Sequence, residues 1–381
     1  MVSLLAPRLR SLMGCATAFV LGLMLHLLPG VARAQVSIVD HAGRTVTLPH
    51  PARKVVLTDG IDLLALGLIE KQPSRLLAGW NPRWLDGPTL DLIRAGDPAM
   101  AAVPQVGATD PATFPVERVV ALEPDLVVLS PYYASRPDLA RKLEAAGVAV
   151  AVLSPSPAVD RRPEEQDLVR LGRLVGREQE ALAFMEFFER HAAVIRERLG
   201  TGKKSQSPDV LLEAHAGGGA CCMSPGRAES IGRFVDFAGG RNIGADIIPG
   251  MAGQLSLEYI LAADPAVYIG TGGGHMASRG GLVLGPGRAA EEARRTLDVA
   301  LRRKGIAQIS AVRTGRTYGL WHDLARSALN IVAIEAIARW THPELFPDLK
   351  PLETLDAINR DFLAFPMSGT FLVEPAGTGT R

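Results

Sequence analysis

The stretch VERVVALEPDLVV at residues 116–128 indicates the fold class, because an apolar helical pattern runs through a proline break into a buried strand. The stretch LEYILAADPAVYI at residues 257–269 repeats this order 141 residues later. Glutamate, alanine and proline coincide at matched positions of the two stretches, and the apolar pattern follows. A repeat of this kind predicts two similar α/β lobes.

Strands alternate with helices on both sides of these stretches. Alternation around an Ala-Gly-Arg turn predicts a hairpin over 37–48, and a helix is predicted over 326–340. Short buried strands are predicted at 54–57, 75–78, 126–129, 148–153, 209–213, 266–269 and 316–320. Because parallel strands need both faces covered, the alternation predicts an α/β protein with two Rossmann-like lobes and mostly parallel sheets.

Apolar residues at helical spacing over 163–200 predict one long helix that joins the lobes. The expected boundaries are an N-terminal lobe at 36–160, the connecting helix at 163–200, a C-terminal lobe at 207–368 and a frayed glycine-rich tail at 369–381.

The first 34 residues contain no acidic residue, carry Arg8 and Arg10, and run apolar from Met13 to Leu28 before ending in Ala-Arg-Ala. This pattern predicts a signal peptide over 1–34, cut before Gln35, and therefore a periplasmic protein. An uncleaved anchor is the alternative, although the apolar run is shorter than the roughly 20 residues that span a bilayer.

Composition limits the possible functions. The chain has 381 residues with 41 Lys and Arg against 40 Asp and Glu, a formal net charge of +1. A length of this order implies about two domains with their own cores. A nearly neutral chain lacks the basic surface that nucleic-acid binders use to neutralise phosphates, so no nucleic-acid partner is expected.

Only Cys221 and Cys222 remain after the predicted cleavage. Export permits a disulfide, but neighbouring cysteines bridge only through a strained ring. Two free buried thiols, contact with a ligand and a disulfide between neighbours all remain open at this stage.

Ligands of open α/β sheets bind beyond the carboxyl ends of the strands. The loops after the predicted strands carry aromatic, arginine and histidine side chains, which suit a flat, anionic and partly apolar ligand. Each of these side chains has the alternative of packing in a lobe or lying in solvent at the rim. The candidate ligand-binding residues are Trp80, Arg83, Tyr132, Tyr133, Arg136, Arg227, His275, Arg279, Trp321 and His322.

In several segments the chain resembles the periplasmic substrate-binding proteins of ABC importers for iron chelates, haem and cobalamin. The resemblance rests on residues 40–44 leading into 53–56, on the stretch 117–128, on the long predicted helix, and on Asn242-Ile243 after Ala-Gly-Gly. It covers nearly all of 36–365. It implies a monomer that holds a ligand between two lobes with little closing motion and delivers it to an inner-membrane permease.

The resemblance also implies a role for Glu117 and Glu258, which occupy the positions where such proteins carry one carboxylate per lobe for docking on permease arginines. Favourable placement near a helix N-terminus is the alternative explanation for both acids. The expected cargo is an iron chelate, a ferric siderophore first, with haem or cobalamin as alternatives. No cofactor and no direct metal ligand are expected.

Two observations narrow the cargo. Haem binders of this class often carry a tyrosine after a Val-Gly pair, but Val106-Gly107 is followed here by Ala108, which weakens the case for haem. Substitutes for that tyrosine remain open and are Tyr132, Tyr133, His275 and His322. A bare metal ion needs about three or four converging ligands. Because His41 and His50 belong to the opening hairpin, the first lobe is expected to offer the cleft no histidine, which argues against an ion binder.

An exported hydrolase or redox enzyme on the same lobes is the alternative from another class. The sequence has no Gly-x-Ser-x-Gly, His-Glu-x-x-His or Cys-x-x-Cys motif. A Cys222 and His215 nucleophile pair remains open, but no third group that would orient it is identifiable. We therefore expect no enzymatic activity.

Overall fold

The computed structural model describes residues 35–107, 110–201, 207–228 and 231–375. The predicted signal peptide at 1–34 lies outside the described residues. The strands are β1 Val36–Val39, β2 Thr45–Leu48, β3 Val55–Leu57, β4 Leu77–Trp80, β5 Leu126–Leu129, β6 Ala149–Val152, β7 Asp209–Glu213, β8 Met223–Pro225, β9 Arg241–Asn242, β10 Ala252–Gln254, β11 Val267–Gly272, β12 Gly285–Pro286, β13 Thr317–Trp321, β14 Gly369–Thr370 and β15 Leu372–Val373.

Helices separate most of these strands. They are α1 Asp62–Ile69, α2 Gly87–Gly96, α3 Val116–Val120, α4 Pro131–Ala134, α5 Pro137–Ala145, α6 Asp167–Val175, α7 Glu178–Thr201, α8 Gly232–Phe237, α9 Gly244–Ile247, α10 Leu257–Ala263, α11 Ala290–Leu301, α12 Ser310–Arg313, α13 His322–Arg326, α14 Asn330–Thr341 and α15 Pro351–Asp361. Short 3-10 turns lie at Pro73–Arg75, Pro98–Ala102, Pro111–Thr113, Pro163–Glu165, Gly274–Arg279 and Ile306–Gln308.

The first lobe is built on a four-stranded parallel sheet in the order β4-β3-β5-β6. Every residue of β3 and of β5 is buried, as expected for strands with both faces covered. The hairpin of β1 and β2 forms as predicted and packs beside this sheet.

The second lobe has a five-stranded sheet in the order β15-β13-β11-β7-β9. Strands β9, β7, β11 and β13 are parallel, whereas β15 adds to one edge antiparallel. The α/β class with mostly parallel sheets in two lobes is confirmed.

The internal repeat is visible in the backbone. Helix α3 leads into β5 and helix α10 leads into β11, as the two stretches predict. The matched turn residues Glu123 and Asp264 both adopt a left-handed conformation, with φ of 49° and 42°. A non-glycine residue with positive φ is uncommon, so the coincidence supports equivalent roles for the two stretches.

The connection between the lobes differs from the prediction of one helix over 163–200. A 3-10 turn at Pro163–Glu165 precedes α6, and α6 is separated from the 24-residue α7 by Gly176, whose φ is 71°. A left-handed glycine ends helices because it carries no Cβ. The two helices pack as a hairpin, and a Cβ at Gly172 would lie 2.8 Å from the Ala181 Cβ. The apolar spacing continues across the break, so the pattern alone does not reveal it.

The tail also differs from the expectation of fraying over 369–381. Strands β14 and β15 pair with β12 and β13, and Phe371 and Val373 are buried between them and the lobe. The apolar run at 371–373 therefore outweighs the surrounding glycines; residues 376–381 lie outside the described part of the chain.

Helix α7 forms the base of the molecule, because it packs on α1 of the first lobe and on α14 of the second. His191 of α7 donates from Nδ1 to the buried Glu335 of α14 at 2.6 Å. The sheets are thereby held side by side with a cleft between their carboxyl ends.

Candidate functional site

A cleft of about 620 Å³ lies between the two lobes. The first lobe contributes residues that follow β3, β5 and β6, and the second contributes residues that follow β7 and β13. Parallel strands present their carboxyl ends at one edge of a sheet, which explains why these loops meet. Apolar walls are supplied mainly by Ile61, Val159, Ile231, Phe234 and Met251.

A group of buried charges lies at the cleft. Arg326 of α13 donates from Nη1 to Asp323 at 3.0 Å and has Nη2 3.7 Å from Asp59 of the first lobe. Burial raises the pKa of Asp323 to about 6, although Arg326 partly opposes the rise. Burial raises the pKa of Asp62 well above its usual value, and the charge of Asp59 adds to this rise. The Oδ2 atom of Asp62 has no hydrogen-bond partner among the described residues.

His215 of the second lobe contacts two further histidines, His275 and His322. His275 Nε2 lies 3.0 Å from His215 Nδ1, and the rings of His215 and His322 have centroids 4.3 Å apart. Burial, with smaller contributions from the charges of His275 and Arg326, lowers the pKa of His215 to about 4. Burial also lowers the pKa of His322 well below its usual value. The imidazoles of His215 and His322 are therefore uncharged at neutral pH and able to ligate a metal.

His41 lines the cleft from the first lobe, so the expectation that this lobe offers no histidine is wrong. The turn after β1 is bound to the end of β6, because the His41 N–H donates to Val152 O at 2.9 Å and Asp40 Oδ2 accepts from the Val152 N–H at 3.0 Å. The His41 ring donates from Nδ1 to Asp167 at 3.0 Å. Long-range pairing of the hairpin with β6 therefore brings this side chain to the site.

Two of the predicted residues, Tyr132 and His322, line the cleft. Tyr132 is exposed at the rim, and the Arg83 guanidinium lies 4.3 Å from the centre of its ring. The same guanidinium lies 3.9 Å from the centre of the Trp84 ring, and Trp84 is exposed. These three side chains form a cation–π stack beside the cleft, of which Trp84 was not predicted.

Three predicted residues, Trp80, Tyr133 and Trp321, are buried and do not line the cleft. The Tyr133 hydroxyl accepts from Asn81 Nδ2 at 2.7 Å, and Trp321 packs on Phe371. Trp80 and Trp321 are the last residues of β4 and β13, where alternation turns one side chain toward the core and its neighbour outward, whereas Tyr133 lies in the short helix α4.

The other four predicted residues lie away from the cleft walls in the described part of the chain. His275 is exposed and reaches the cleft only through its contact with His215. Arg279 is exposed nearby on the same loop. Arg136 pairs with Asp138 at 3.5 Å and Arg227 donates to Ala245 O at 3.2 Å, so both belong to local surface contacts.

The sequence alone does not single out Asp59, Asp62, Arg326 or Asn330 as site residues. Asp59 and Asp62 follow the buried strand β3 directly, which is the signal that would have identified them. Arg326 is the last residue of the short helix α13, and Asn330 is the first residue of α14. Their positions at the cleft therefore depend on how these two helices pack.

The structure joins Cys221 and Cys222 in a disulfide, one of the possibilities left open by the sequence. An oxygen of the nearby Glu213 carboxylate lies within 4.8 Å of these sulfurs. It also accepts from Arg303 at 2.8 and 2.5 Å and from the Tyr268 hydroxyl at 2.7 Å. These contacts make the group part of the packing of the second lobe.

Glu117 and Glu258 are both exposed in the first turn of α3 and α10. Each helix runs antiparallel to the strand that follows it, so its N-terminus lies at the carboxyl edge of the sheet. The two carboxylates therefore lie on the same side of the molecule as the cleft, one on each lobe.

Comparison with known proteins gives a consistent result. A family model described as periplasmic binding protein matches residues 74–324. A TroA-like periplasmic binding protein, FepB from Veillonella parvula, is 24% identical with a TM-score of 0.78 over 89% of this chain and 99% of that one. No curated protein matches the chain.

More distant structures share the fold. A periplasmic haem-binding protein from Pseudomonas aeruginosa is 21% identical, with a TM-score of 0.57 over 87% of this chain and 99% of that one. The molybdate-binding protein MolA of a Haemophilus influenzae ABC transporter is 15% identical, with a TM-score of 0.64 over 87% and 99%. Among the residues that the structure describes, none of the helices combines the length and apolar character needed to cross a membrane.

Proposed function

The chain belongs to the periplasmic binding protein family, and from this membership we propose that it captures a ferric siderophore between its lobes and delivers it to an inner-membrane ABC permease. The family is that of substrate-binding proteins of ABC importers. The proposal adds the identity of the cargo to this family membership. The observation that carries it is the position of Arg326, a partly buried guanidinium in a cleft of chelate size.

The chemistry of the cleft supports an anionic metal chelate. A guanidinium binds carboxylate or catecholate oxygens with two parallel hydrogen bonds, and Arg83 offers a second guanidinium at the rim. Tyr132 and the apolar wall suit the rings and linkers of a chelator. The volume of about 620 Å³ falls in the range of sites for small organic ligands.

Haem is the second candidate, and the uncharged imidazoles of His215 and His322 favour it. A neutral imidazole is the form that ligates iron, and both side chains line the cleft. One solved relative is a haem-binding protein, although at 21% identity it supports the fold rather than the ligand.

The remaining parts of the proposal are its location and partners. Cleavage of the leader before Gln35 would release a monomer in the periplasm. Glu117 and Glu258 would each meet a permease arginine, forming one charge-assisted contact per lobe. No resident cofactor is needed for capture and delivery.

A fluorescence titration of residues 35–381 tests the cargo. Trp84 is the exposed member of the four tryptophans and stacks on Arg83 beside the cleft, which makes it the natural reporter. We expect saturable quenching by a ferric siderophore, with a smaller response in Trp84→Phe. Tighter binding of haem or cobalamin would show that this ligand, and not the siderophore, is the cargo. No fluorescence change with any of these ligands would reject a metal chelate as the cargo.

A mass-spectrometric check of the recovered ligand separates binding from catalysis. A binding protein returns the chelate unchanged, whereas conversion of an ester or of the chelate itself would indicate an enzyme.

A further inference from the structure

Three polar atoms of cleft residues are buried without a hydrogen-bond partner among the described residues. They are Asp62 Oδ2, Ser130 Oγ and Asn330 Oδ1, and their three residues line the cleft and are at most 6% exposed. A buried polar atom that lacks a partner costs free energy, so folded proteins keep few of them without a reason. We propose that these three side chains form a floor subsite, which binds an uncharged secondary amide of the ligand. This inference rests on the proposed capture of a chelate and adds a requirement on the part of the chelator that does not bind iron.

The fold assembles the floor subsite from both lobes. Asp62 is the first residue of α1 and Ser130 directly follows β5, so both belong to the first lobe. Asn330 is the first residue of α14 in the second lobe. Helices α1 and α14 both pack on α7, and their first residues both line the cleft. A ligand group that contacts Asn330 and either of the other two residues therefore bridges the lobes.

Asn330 requires a donor from the ligand. Its Nδ2 donates to Pro157 O at 2.8 Å, which fixes the orientation of the amide and leaves Oδ1 as the unpaired atom. An amide oxygen only accepts hydrogen bonds, so its partner must carry an N–H or an O–H. Carboxylate and catecholate oxygens that bind iron carry no proton and cannot serve. The partner is therefore a group of the chelator outside its iron-binding atoms.

Ser130 and Asp62 supply the complementary donors. The Ser130 backbone N–H donates to Thr58 Oγ1 at 3.0 Å, which holds the residue in place, and the Ser130 hydroxyl is able to donate. Burial raises the pKa of Asp62 well above its usual value and favours the protonated carboxyl, which is also a donor. A secondary amide carries its N–H and its C=O on separate atoms, so one group can meet Asn330 in one lobe and a donor in the other. A hydroxyl would have to make both contacts through a single oxygen.

A pair of ferric complexes that differ only in their amide N–H groups tests the proposal. One is the complex of a citrate chelator whose hydroxamate arms are attached through secondary amides, and the other carries a methyl group on each amide nitrogen. The complexes have the same charge and the same iron-binding atoms. Fluorescence titration of the native chain should give roughly 10-fold to 100-fold weaker binding of the methylated complex, the usual effect of removing one partner from a buried hydrogen bond.

Variants assign this loss to the floor subsite. In Asn330→Ala the two complexes should bind with affinities within about threefold of each other, because the acceptor of the amide N–H is gone. Asn359→Ala is the matched control and should keep the full difference. Asn359 also donates to a backbone carbonyl, that of Met367 at 2.8 Å, but it lies on α15 and is not a cleft-lining residue. Ser130→Ala removes a hydroxyl without a partner, so it should weaken binding of the unmethylated complex about tenfold and leave thermal stability unchanged.

Circular dichroism of each variant confirms that it is folded. Equal affinity of the native chain for the two complexes, or the same loss on methylation in Asn330→Ala as in the native chain, would overturn the floor subsite and leave the proposed cargo intact. If Asn330→Ala does not fold, Ser130→Ala decides, because unchanged affinity in that variant would equally overturn the subsite. Binding of neither complex by the native chain would reject the siderophore as cargo and the floor subsite with it.

Discussion

Arg326 of the second lobe lies 3.7 Å from the carboxylate of Asp59 in the first lobe. This contact crosses the cleft, so the one guanidinium serves both lobes and remains near any ligand bound between them. It also bonds to Asp323 within its own helix.

Arg326→Gln should weaken binding of an anionic chelate by roughly 10-fold to 100-fold, the value of a hydrogen bond between charged groups. Arg326→Lys is the matched control, because it keeps the charge and loses the two-pronged geometry. Fluorescence titration of both variants gives the comparison. Equal affinity of the Gln variant and the native chain would show that Arg326 does not take part in ligand recognition.

Asp62→Asn should raise the free energy of unfolding at pH 7 by about 1–3 kcal/mol, because burial and the charge of Asp59 disfavour the ionised carboxylate and an amide carries no charge. The raised pKa of Asp62 means that the folded state keeps a proton that the unfolded chain releases. Native stability should therefore fall as the pH rises above the unfolded value of about 4, and the variant should lose this dependence.

Urea unfolding between pH 4 and pH 8 measures the effect. Asp97→Asn is the control. The buried Asp97 carboxylate accepts from the Ser74 N–H and hydroxyl, both at 2.9 Å, so this variant should be less stable than the native chain. A variant Asp62→Asn less stable than the native chain would show that this carboxylate is paired in the folded protein.

Asp167→Asn should destabilise the fold by about 1–3 kcal/mol at pH 7. Burial alone would raise the pKa of Asp167, but hydrogen bonds from His41, the Ser154 N–H and Arg170 outweigh it, and the net pKa is lowered. A lowered carboxyl pKa contributes stability above the unfolded value, which is lost as the pH falls through the folded value. The difference between variant and native protein should thus shrink toward pH 3.

Glu117→Ala with Glu258→Ala should abolish uptake and leave ligand affinity unchanged. Both acids are exposed on the cleft side and supply one contact per lobe. Glu353→Ala, an exposed acid on α15, is the matched control. The measurement is transport by the cognate permease in vesicles, alongside fluorescence titration. Intact uptake by the double variant would show that the two acids serve only their helix N-termini.

Local signals predicted much of the architecture. The stretches at 116–128 and 257–269 carry the proline break and the apolar pattern within thirteen residues each, so their helix and strand depend little on distant contacts. The break at Gly176 was missed because apolar spacing continues on both sides, and only the close packing of Gly172 on Ala181 shows why two helices form.

The site was less predictable than the fold, because it depends on which way side chains turn. Trp80 and Tyr132 both follow from the rule that loops at strand ends bind ligands, yet one is buried and the other lies at the rim. His41 reaches the cleft through hydrogen bonds between the hairpin turn and Val152, a pairing of residues more than one hundred positions apart. No local pattern encodes such a contact.

The base of the molecule determines how cargo leaves it. His191 binds Glu335 between α7 and α14, and the Asn330 amide donates to Pro157 O at 2.8 Å beneath the cleft. With the lobes tied together in this way, little binding free energy goes into reshaping the empty receptor. We expect the ligand to leave slowly in free solution. Its release to the docked importer should then require nucleotide hydrolysis to separate the lobes.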